Sequence, residues 1–221
     1  MAVALSEHKA PQLPSRRATR DAHDWRAQLP VLASADLILR EMHLSDAGSL
    51  LAMIGDDEVA RYLAPPPQTQ SAFREFIRWT HFKRAEGTYA CFAVVPRASN
   101  TAIGFFQLRA LEGTFTTAEW GFALGRPYWG TGSFTAGAEQ FLTFAFETIG
   151  VRRLEARAME GNVRGNGALR KMGASREGML RESFARNGER HDTLLWSILD
   201  GDWRARHGRR PAPLVLPSRL H

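Results

Sequence analysis

Cysteine and tyrosine are scarce in this sequence of 221 residues, and long apolar runs are absent. The single cysteine, Cys91, cannot form a disulfide within the chain, which is typical of proteins of the reducing cytoplasm. Because it lies in an apolar, strand-like stretch, we expect a buried and unreactive thiol there rather than a nucleophile. No apolar run approaches the roughly 20 residues that span a bilayer, and the first residues lack the apolar block of a secretory signal. These features predict a cytoplasmic protein without a membrane segment.

The net charge of +6 is carried by the two ends of the chain. Residues 1–34 have a net charge of +2 and residues 201–221 of +4, whereas residues 35–200 hold equal numbers of acidic and basic side chains. Nucleic-acid binding by a basic folded core is therefore disfavoured. We predict a poorly ordered arm (1–34), one domain (35–200) and a basic tail (201–221). The histidines show no metal-ligand spacing, so no metal is expected.

The most informative stretch is a glycine-bearing turn, Arg126 to Ser133, which joins a strand-like run to an amphipathic one. Gly130 and Gly132 lack a Cβ, so the backbone can bring its N–H groups close to an anion. At the start of a helix such N–H groups are unpaired and the helix dipole is positive. A Walker-type loop is excluded because no Gly-Lys-Ser/Thr follows, and the dinucleotide fingerprint is incomplete. A tight turn without any ligand is the alternative interpretation.

Periodicity predicts the order strand, helices, three antiparallel strands, helix, strand, helix and hairpin. The hairpin is indicated by Asn187-Gly188, a dipeptide that favours two-residue turns between strands. A helix over 167–172 is predicted to end at Gly173. This order predicts an α+β fold in which helices flank a sheet.

Four segments then occur in a specific order. They are Leu37–Arg40 with Leu44–Ala47, Ala118–Phe122, Tyr128–Gly132, and Gly173–Glu182 with Asn187–Asp192. Together they resemble the Gcn5-related N-acetyltransferase (GNAT) superfamily, and within it the RimJ/RimL-like branch that acetylates ribosomal-protein N-termini. The resemblance covers roughly residues 35–200. It implies a mixed, mostly antiparallel, twisted sheet with splayed central strands and helices on both faces. It also implies transfer of an acetyl group from acetyl-CoA to a primary amine.

The resemblance further implies which residues hold the coenzyme. The diphosphate is expected on the N–H groups from Trp129 to Ser133, and the pantetheine arm in the gap between the splayed strands. Asn162 matches a position that contacts the coenzyme in relatives, with a turn or helix-cap role as the alternative. Gly165 stands where many relatives carry Ser or Asn, so either Asn166 takes over that contact or the backbone alone makes it. The expected coenzyme-binding residues are Phe122, Ala123, Leu124, Trp129, Gly130, Thr131, Gly132, Ser133, Asn162 and Asn166.

Glu119 is the expected general base, acting directly or through a water, because it lies on the central strand near the splay. A solvated or ion-paired glutamate is the alternative. Many relatives protonate the leaving thiolate with a Tyr that this chain lacks near Asn162, so a coenzyme-binding sensor without catalytic activity is the rival hypothesis. The acceptor, a protein N-terminus or a small amine, is expected to meet residues 56–70 and the hairpin loop. Homodimer formation stays open.

Overall fold

A computed structural model of the chain describes residues 24–208, and the outer parts of the predicted arm and tail, 1–23 and 209–221, lie outside these residues. The described chain is organised around one eight-stranded sheet in the order β1-β2-β3-β4-β5-β6-β8-β7. The strands are β1 Leu32–Ala33, β2 Leu37–Glu41, β3 Tyr89–Pro96, β4 Gly104–Ala110, β5 Thr117–Leu124, β6 Arg153–Met159, β7 Ser175–Arg186 and β8 Glu189–Leu199.

Six α-helices lie within residues 24–208, five of them between strands and the sixth after β8. They are α1 Ala47–Ile54, α2 Asp57–Ala60, α3 Gln70–Ala85, α4 Ser133–Thr143, α5 Val163–Lys171 and α6 Asp200–His207. Short 3-10 turns precede α1 and α4, and a π-helical segment, Phe144–Ile149, continues α4. None of the helices in the described part of the chain is long and apolar enough to cross a membrane.

All neighbouring strands of the sheet run antiparallel except β5 and β6, which are parallel. The predicted mixed, mostly antiparallel sheet is therefore confirmed. The hairpin between β7 and β8 turns at Asn187 and Gly188, whose φ angles are 51° and 80°. Positive φ at both central residues is what the predicted turn requires.

Helices cover both faces of the sheet, which gives two hydrophobic cores. On one face α4, α5 and α6 pack on side chains such as Phe92, Phe106 and Leu154, all fully buried. On the other face α1 and α3 pack on the same strands through Phe73 and Ile77. Strand β3 is consequently buried along nearly its whole length. Sheets covered on both faces show continuous apolar strands rather than alternation.

The packed structure extends beyond the expected domain boundaries at residues 35 and 200. Residues 24–34 lie on the sheet, where Trp25 is 6% exposed and its ring centre lies 5.4 Å from that of Phe115. At the other end, Trp203 of α6 stacks on Phe146 at 5.7 Å. The prediction of a poorly ordered arm therefore fails for residues 24–34. Their few apolar side chains cover the sheet in spite of a composition rich in Ala, Arg and Pro.

Candidate active site

The two central strands pair only over a short length and then separate. Thr117–Glu119 of β5 lie opposite Arg153–Glu155 of β6. Beyond these residues β5 continues along β4, and β6 continues along β8. A gap therefore opens between Trp120–Leu124 of β5 and Ala156–Met159 of β6, and we call it the central gap. Its presence agrees with the expected splay.

The backbone of β5 presents alternate residues to the central gap. The N–H of Gly125 donates to the carbonyl of Ile103 next to β4 at 2.8 Å. In an antiparallel pair neighbouring residues point their polar groups to opposite sides, so Ala123 is bonded towards β4 and its neighbours Phe122 and Leu124 face the gap. The expectation that all three residues contact a coenzyme arm is therefore corrected for Ala123, whose backbone groups are already used in the sheet.

The glycine turn lies directly after β5 and leaves a clear space in front of its backbone. Gly130 and Gly132 have φ angles of 77° and 91°, and a Cβ placed on either would have no neighbouring atom within 4 Å among the described residues. The N–H groups of Gly130, Thr131 and Gly132 donate to no described residue. Gly132 immediately precedes α4, so the positive end of that helix faces the same space. This geometry suits an anion.

Two hydroxyl groups stiffen the turn. Thr131 Oγ1 donates to the carbonyl of Tyr128 at 2.8 Å and lies 2.9 Å from Ser133 Oγ. Since the Thr131 proton is given to the carbonyl, the Ser133 hydroxyl is the donor in the second contact. The N–H of Ser133 has only a long contact of 3.4 Å, to Thr131 Oγ1.

Trp129 has a structural role that differs from the expected one. Its N–H donates to the carbonyl of Arg126 at 3.1 Å, and its indole Nε1 donates to the carbonyl of Leu124 at 2.8 Å. Its backbone N–H is thus not available to a ligand. The guanidinium of Arg164 lies over the indole ring, 4.4 Å from the ring centre. Arg164, which sequence analysis missed, is thereby held beside the turn as a further positive charge.

Glu119 lies at the closed end of the central gap, at the last paired position of β5. Its Oε2 accepts a hydrogen bond of 2.6 Å from Arg109 Nη2 on the neighbouring strand, and its side chain is 26% exposed. The ion-paired alternative is thus observed. Its Oε1 has no partner among the described residues, so it can still accept a proton or a hydrogen bond.

A broad cleft of about 970 Å³ opens at the far ends of these strands. It lies between α2, the end of β6 and the β7–β8 hairpin, which are close to the segments expected to meet the acceptor. Six carboxylates and three guanidinium groups line it, so acid predominates: Asp57, Glu58, Glu160, Glu182, Glu189 and Asp192 against Arg61, Arg186 and Arg190.

One wall of this cleft is formed by an irregularity in β7. The register against β8 shifts between Leu180 and Phe184, and Glu182 adopts φ 50°. Asp192 holds this conformation because its Oδ1 accepts the N–H of Glu182 at 2.8 Å. Asp192 therefore has a structural role in the hairpin.

Comparison with known proteins connects this geometry to a family. A model of the acetyltransferase (GNAT) domain matches residues 36–175, which is more than half of the chain. The chain therefore belongs to the GNAT acetyltransferase family. A protein named "Uncharacterized N-acetyltransferase p20" from Bacillus licheniformis is 26% identical over 176 residues, which are 79% of this chain and 99% of that protein. YoaA of Bacillus subtilis, named an N-acetyltransferase, is 28% identical over 77% of this chain and 97% of its own.

Solved structures share the fold of this acetyltransferase. An acetyltransferase (GNAT family) from Bacillus anthracis matches with a TM-score of 0.69 at 20% identity, covering 77% of this chain and 99% of its own. The ribosomal-protein-S5-alanine acetyltransferase of Vibrio fischeri matches with a TM-score of 0.70 at 18% identity, covering 78% and 98%. At this identity the likeness concerns the fold alone.

The start of α5 explains how this acetyltransferase accommodates glycine at position 165. Asn162 is the N-cap of α5, and its Oδ1 accepts the N–H of Gly165 at 2.8 Å. A Cβ at position 165 would lie only 2.5 Å from Asn162 Nδ2. The cap role named as the alternative for Asn162 is thus present. Its Nδ2 donates to no described residue and can still reach a ligand.

Of the two alternatives left open for this position, a polar contact from Asn166 is disfavoured by its surroundings. Its side chain is buried, and Nδ2 donates to the carbonyls of Met159 and Asn162, both at 2.9 Å. Its Oδ1 accepts a hydrogen bond from the indole of Trp196 at 2.9 Å. With donor and acceptor both engaged, Asn166 ties α5 to β6 and β8 and has nothing left for a coenzyme.

Proposed function

We propose that this enzyme transfers the acetyl group of acetyl-CoA to a primary amine, with the coenzyme in the central gap and its diphosphate on the glycine turn. The observation that carries the proposal is that two features lie next to each other in the structure. β5 leaves β6 after Glu119, and the turn that follows β5 has three N–H groups that donate to no described residue. An extended ligand with an anionic end fits both.

Different groups are proposed to bind the two parts of the coenzyme. The N–H groups of Gly130, Thr131 and Gly132, together with the guanidinium of Arg164, suit a diphosphate. The backbone groups of Phe122 that face the gap suit the amides of a pantetheine arm, as an added strand would, and Leu124 contributes its N–H because its carbonyl already accepts from the Trp129 indole. Asn162 Nδ2 offers one donor from the opposite side of the gap.

The coenzyme supplies the acetyl group as a thioester. The amine nitrogen attacks the carbonyl carbon, a C–N bond forms, and the C–S bond breaks with its electron pair on sulfur. Glu119 Oε1 accepts the proton that the amine loses, directly or through a water, while Arg109 keeps the other oxygen in place. A backbone N–H of β5 polarises the carbonyl, and a water returns a proton to the thiolate.

The acceptor enters through the acidic cleft. A protonated amine is attracted by the six carboxylates around it, and a volume of about 970 Å³ accommodates a peptide end as well as a small amine. The Vibrio fischeri neighbour is named for a ribosomal-protein substrate, which supports a protein N-terminus as one of the acceptors to be tested.

The test is release of free thiol from acetyl-CoA with a panel of amines that includes peptides beginning with Ala or Ser. We expect Glu119→Gln to lower kcat by about 10²–10⁴-fold, the usual contribution of a general base. The matched control is Glu112→Gln, which changes an exposed loop glutamate. Equal kcat in Glu119→Gln and the wild type would exclude Glu119 as the base. Coenzyme binding without thiol release for any amine would favour the binding-module hypothesis, and absence of binding would refute both.

A further inference from the structure

A carboxamide that the mechanism above does not use lies beside Glu119. Gln107 of β4 is the cross-strand partner of Gly121. If Gly121 had a Cβ, that atom would lie 3.1 Å from Gln107 Nε2 and 3.5 Å from Gln107 Cγ. The Gln107 side chain therefore extends across β5 into the space that glycine leaves free. Since Glu119 precedes Gly121 by two residues, both side-chain positions lie on the same face of the sheet.

Tyr89 fixes the orientation of this carboxamide. Its hydroxyl donates to Gln107 Oε1 at 2.5 Å. Tyr89 is 5% exposed, and burial raises the pKa of its phenol, which keeps the group a neutral donor. With Oε1 turned to Tyr89, the Nε2 group is directed to Gly121, and it donates to no described residue. Because only the oxygen of this half-buried amide is engaged, its two N–H groups are left for a ligand.

The free amide and the free carboxylate oxygen frame one short stretch of β5. Cα atoms two residues apart on a strand are separated by about 6.6 Å, so Gln107 Nε2 over Gly121 and Glu119 Oε1 lie at the two ends of that stretch. It begins where β5 leaves β6. A hydrogen-bond donor and a hydrogen-bond acceptor at this spacing can bind a ligand with an amine and a carbonyl oxygen close together.

An α-aminoacyl group has this arrangement, because its amine nitrogen and first carbonyl oxygen are about 3 Å apart. Alkylamines and polyamines have no such oxygen. The ring of Trp79, which is 44% exposed and lies 4.9 Å from that of Tyr89, provides an apolar wall beside the same face. The short side chain of a first residue can pack there.

We propose that Gln107 Nε2 donates to the first carbonyl oxygen of the acceptor, so that the enzyme selects α-aminoacyl amines, such as peptide N-termini or amino acid amides, over simple amines. The proposal rests on the acetyl transfer proposed above. Gln107 touches the acceptor and sets specificity, whereas Tyr89 is a positioning residue that acts through Gln107. Removing the Gln107 amide should slow the reaction of aminoacyl acceptors alone, because a simple amine has no carbonyl oxygen and loses no hydrogen bond.

The experiment compares kcat/KM for alaninamide and for sec-butylamine, which has similar size and no carbonyl. We expect Gln107→Leu to lower the ratio of kcat/KM for alaninamide to kcat/KM for sec-butylamine about five- to tenfold, which corresponds to the loss of one neutral hydrogen bond. Differences in amine basicity cancel because the same ratio is compared between variants. Gln140→Leu is the control, since Gln140 lies in α4 and its one side-chain hydrogen bond to the described residues goes to the carbonyl of Ala136. The ratio of this variant should equal that of the wild type.

Tyr89→Phe keeps the proposal testable if one variant folds poorly. It should lower the ratio less than Gln107→Leu does, and the double variant should match Gln107→Leu alone, because the two residues act as a unit. A wild-type ratio in Gln107→Leu, with both amines still acetylated, would overturn the inference and leave the proposed function intact. Failure of the wild type to acetylate any amine would remove both.

Discussion

Replacing Gly132 by alanine should weaken both the fold and the binding of the coenzyme. Gly132 has φ 91° and ψ −15°, a left-handed conformation that costs an L-residue about 1–2 kcal/mol. Its new Cβ would touch no atom of the described residues. In the free protein the substitution therefore adds strain without a clash, and the free energy of unfolding should fall by about 1–2 kcal/mol.

In the complex the same methyl group occupies the space proposed for the diphosphate. If it displaces one phosphate oxygen from the three free N–H groups, a hydrogen bond to a charged acceptor is lost, which is worth about 1.5–3 kcal/mol. The dissociation constant of the coenzyme should therefore rise roughly 10- to 100-fold. Titration calorimetry with coenzyme A measures this constant, and urea unfolding measures the stability of the same variant.

Gly150→Ala is the matched control. Gly150 ends the π-helical segment after α4 with φ 85°, and a Cβ there also has nothing within 4 Å in the described structure. The two substitutions carry similar backbone strain, but Gly150 is separated from the turn by the whole of α4 and the segment that continues it. We expect a similar loss of stability and a dissociation constant within about twofold of the wild type. Equal constants in both variants would refute the assignment of the diphosphate to the turn.

Two further predictions concern stability. Asp46 is 6% exposed and accepts hydrogen bonds from both terminal nitrogens of Arg40 at 2.7 and 2.8 Å. Asp46→Asn should lower the free energy of unfolding, measured in urea, by about 3–5 kcal/mol because it removes the anion that pairs with Arg40. A loss below about 1 kcal/mol would contradict this. The Arg153 guanidinium lowers the pKa of Glu177 from 4.5 to about 2. The wild type should therefore have a higher free energy of unfolding than Glu177→Gln above pH 4.5, and this difference should vanish as the pH falls to 2. It should not exceed about 1 kcal/mol because the carboxylate is partly exposed, and a difference that grows on acidification would exclude the ion pair as its source.

Features that depend on neighbouring residues could be predicted from the sequence. The hairpin at Asn187-Gly188 and the positive φ angles of Gly130 and Gly132 follow from local backbone chemistry. The buried, unreactive thiol expected at Cys91 agrees with its 2% exposure, and burial raises its pKa. The strand order and the splay came from the resemblance to a family, since local periodicity does not determine which strands pair.

Features that depend on distant residues were missed or misassigned. Helix α5 was expected to begin at Gly167, yet it begins at Val163 because the Asn162 side chain caps it and outweighs the low helix propensity of glycine. Asn166 was expected to be able to contact the coenzyme, but its side chain accepts a hydrogen bond from Trp196, which lies on β8, 30 residues later in the chain. Arg164 gained its place beside the turn only through Trp129, which lies 35 residues earlier in the chain.

The glycine at position 165 affects how the binding energy is distributed in this enzyme. A serine there could not be added to the present arrangement, because its Cβ would come within 2.5 Å of Asn162 Nδ2. The N–H of Gly165 is itself bonded to Asn162 Oδ1, so the donors that the start of α5 offers the proposed coenzyme are the side chains of Asn162 and Arg164. The glycine turn adds three N–H groups that donate to no described residue. Binding should accordingly depend more on these three N–H groups than on the N–H of Gly165, which is why one methyl group at Gly132 is expected to have so large an effect.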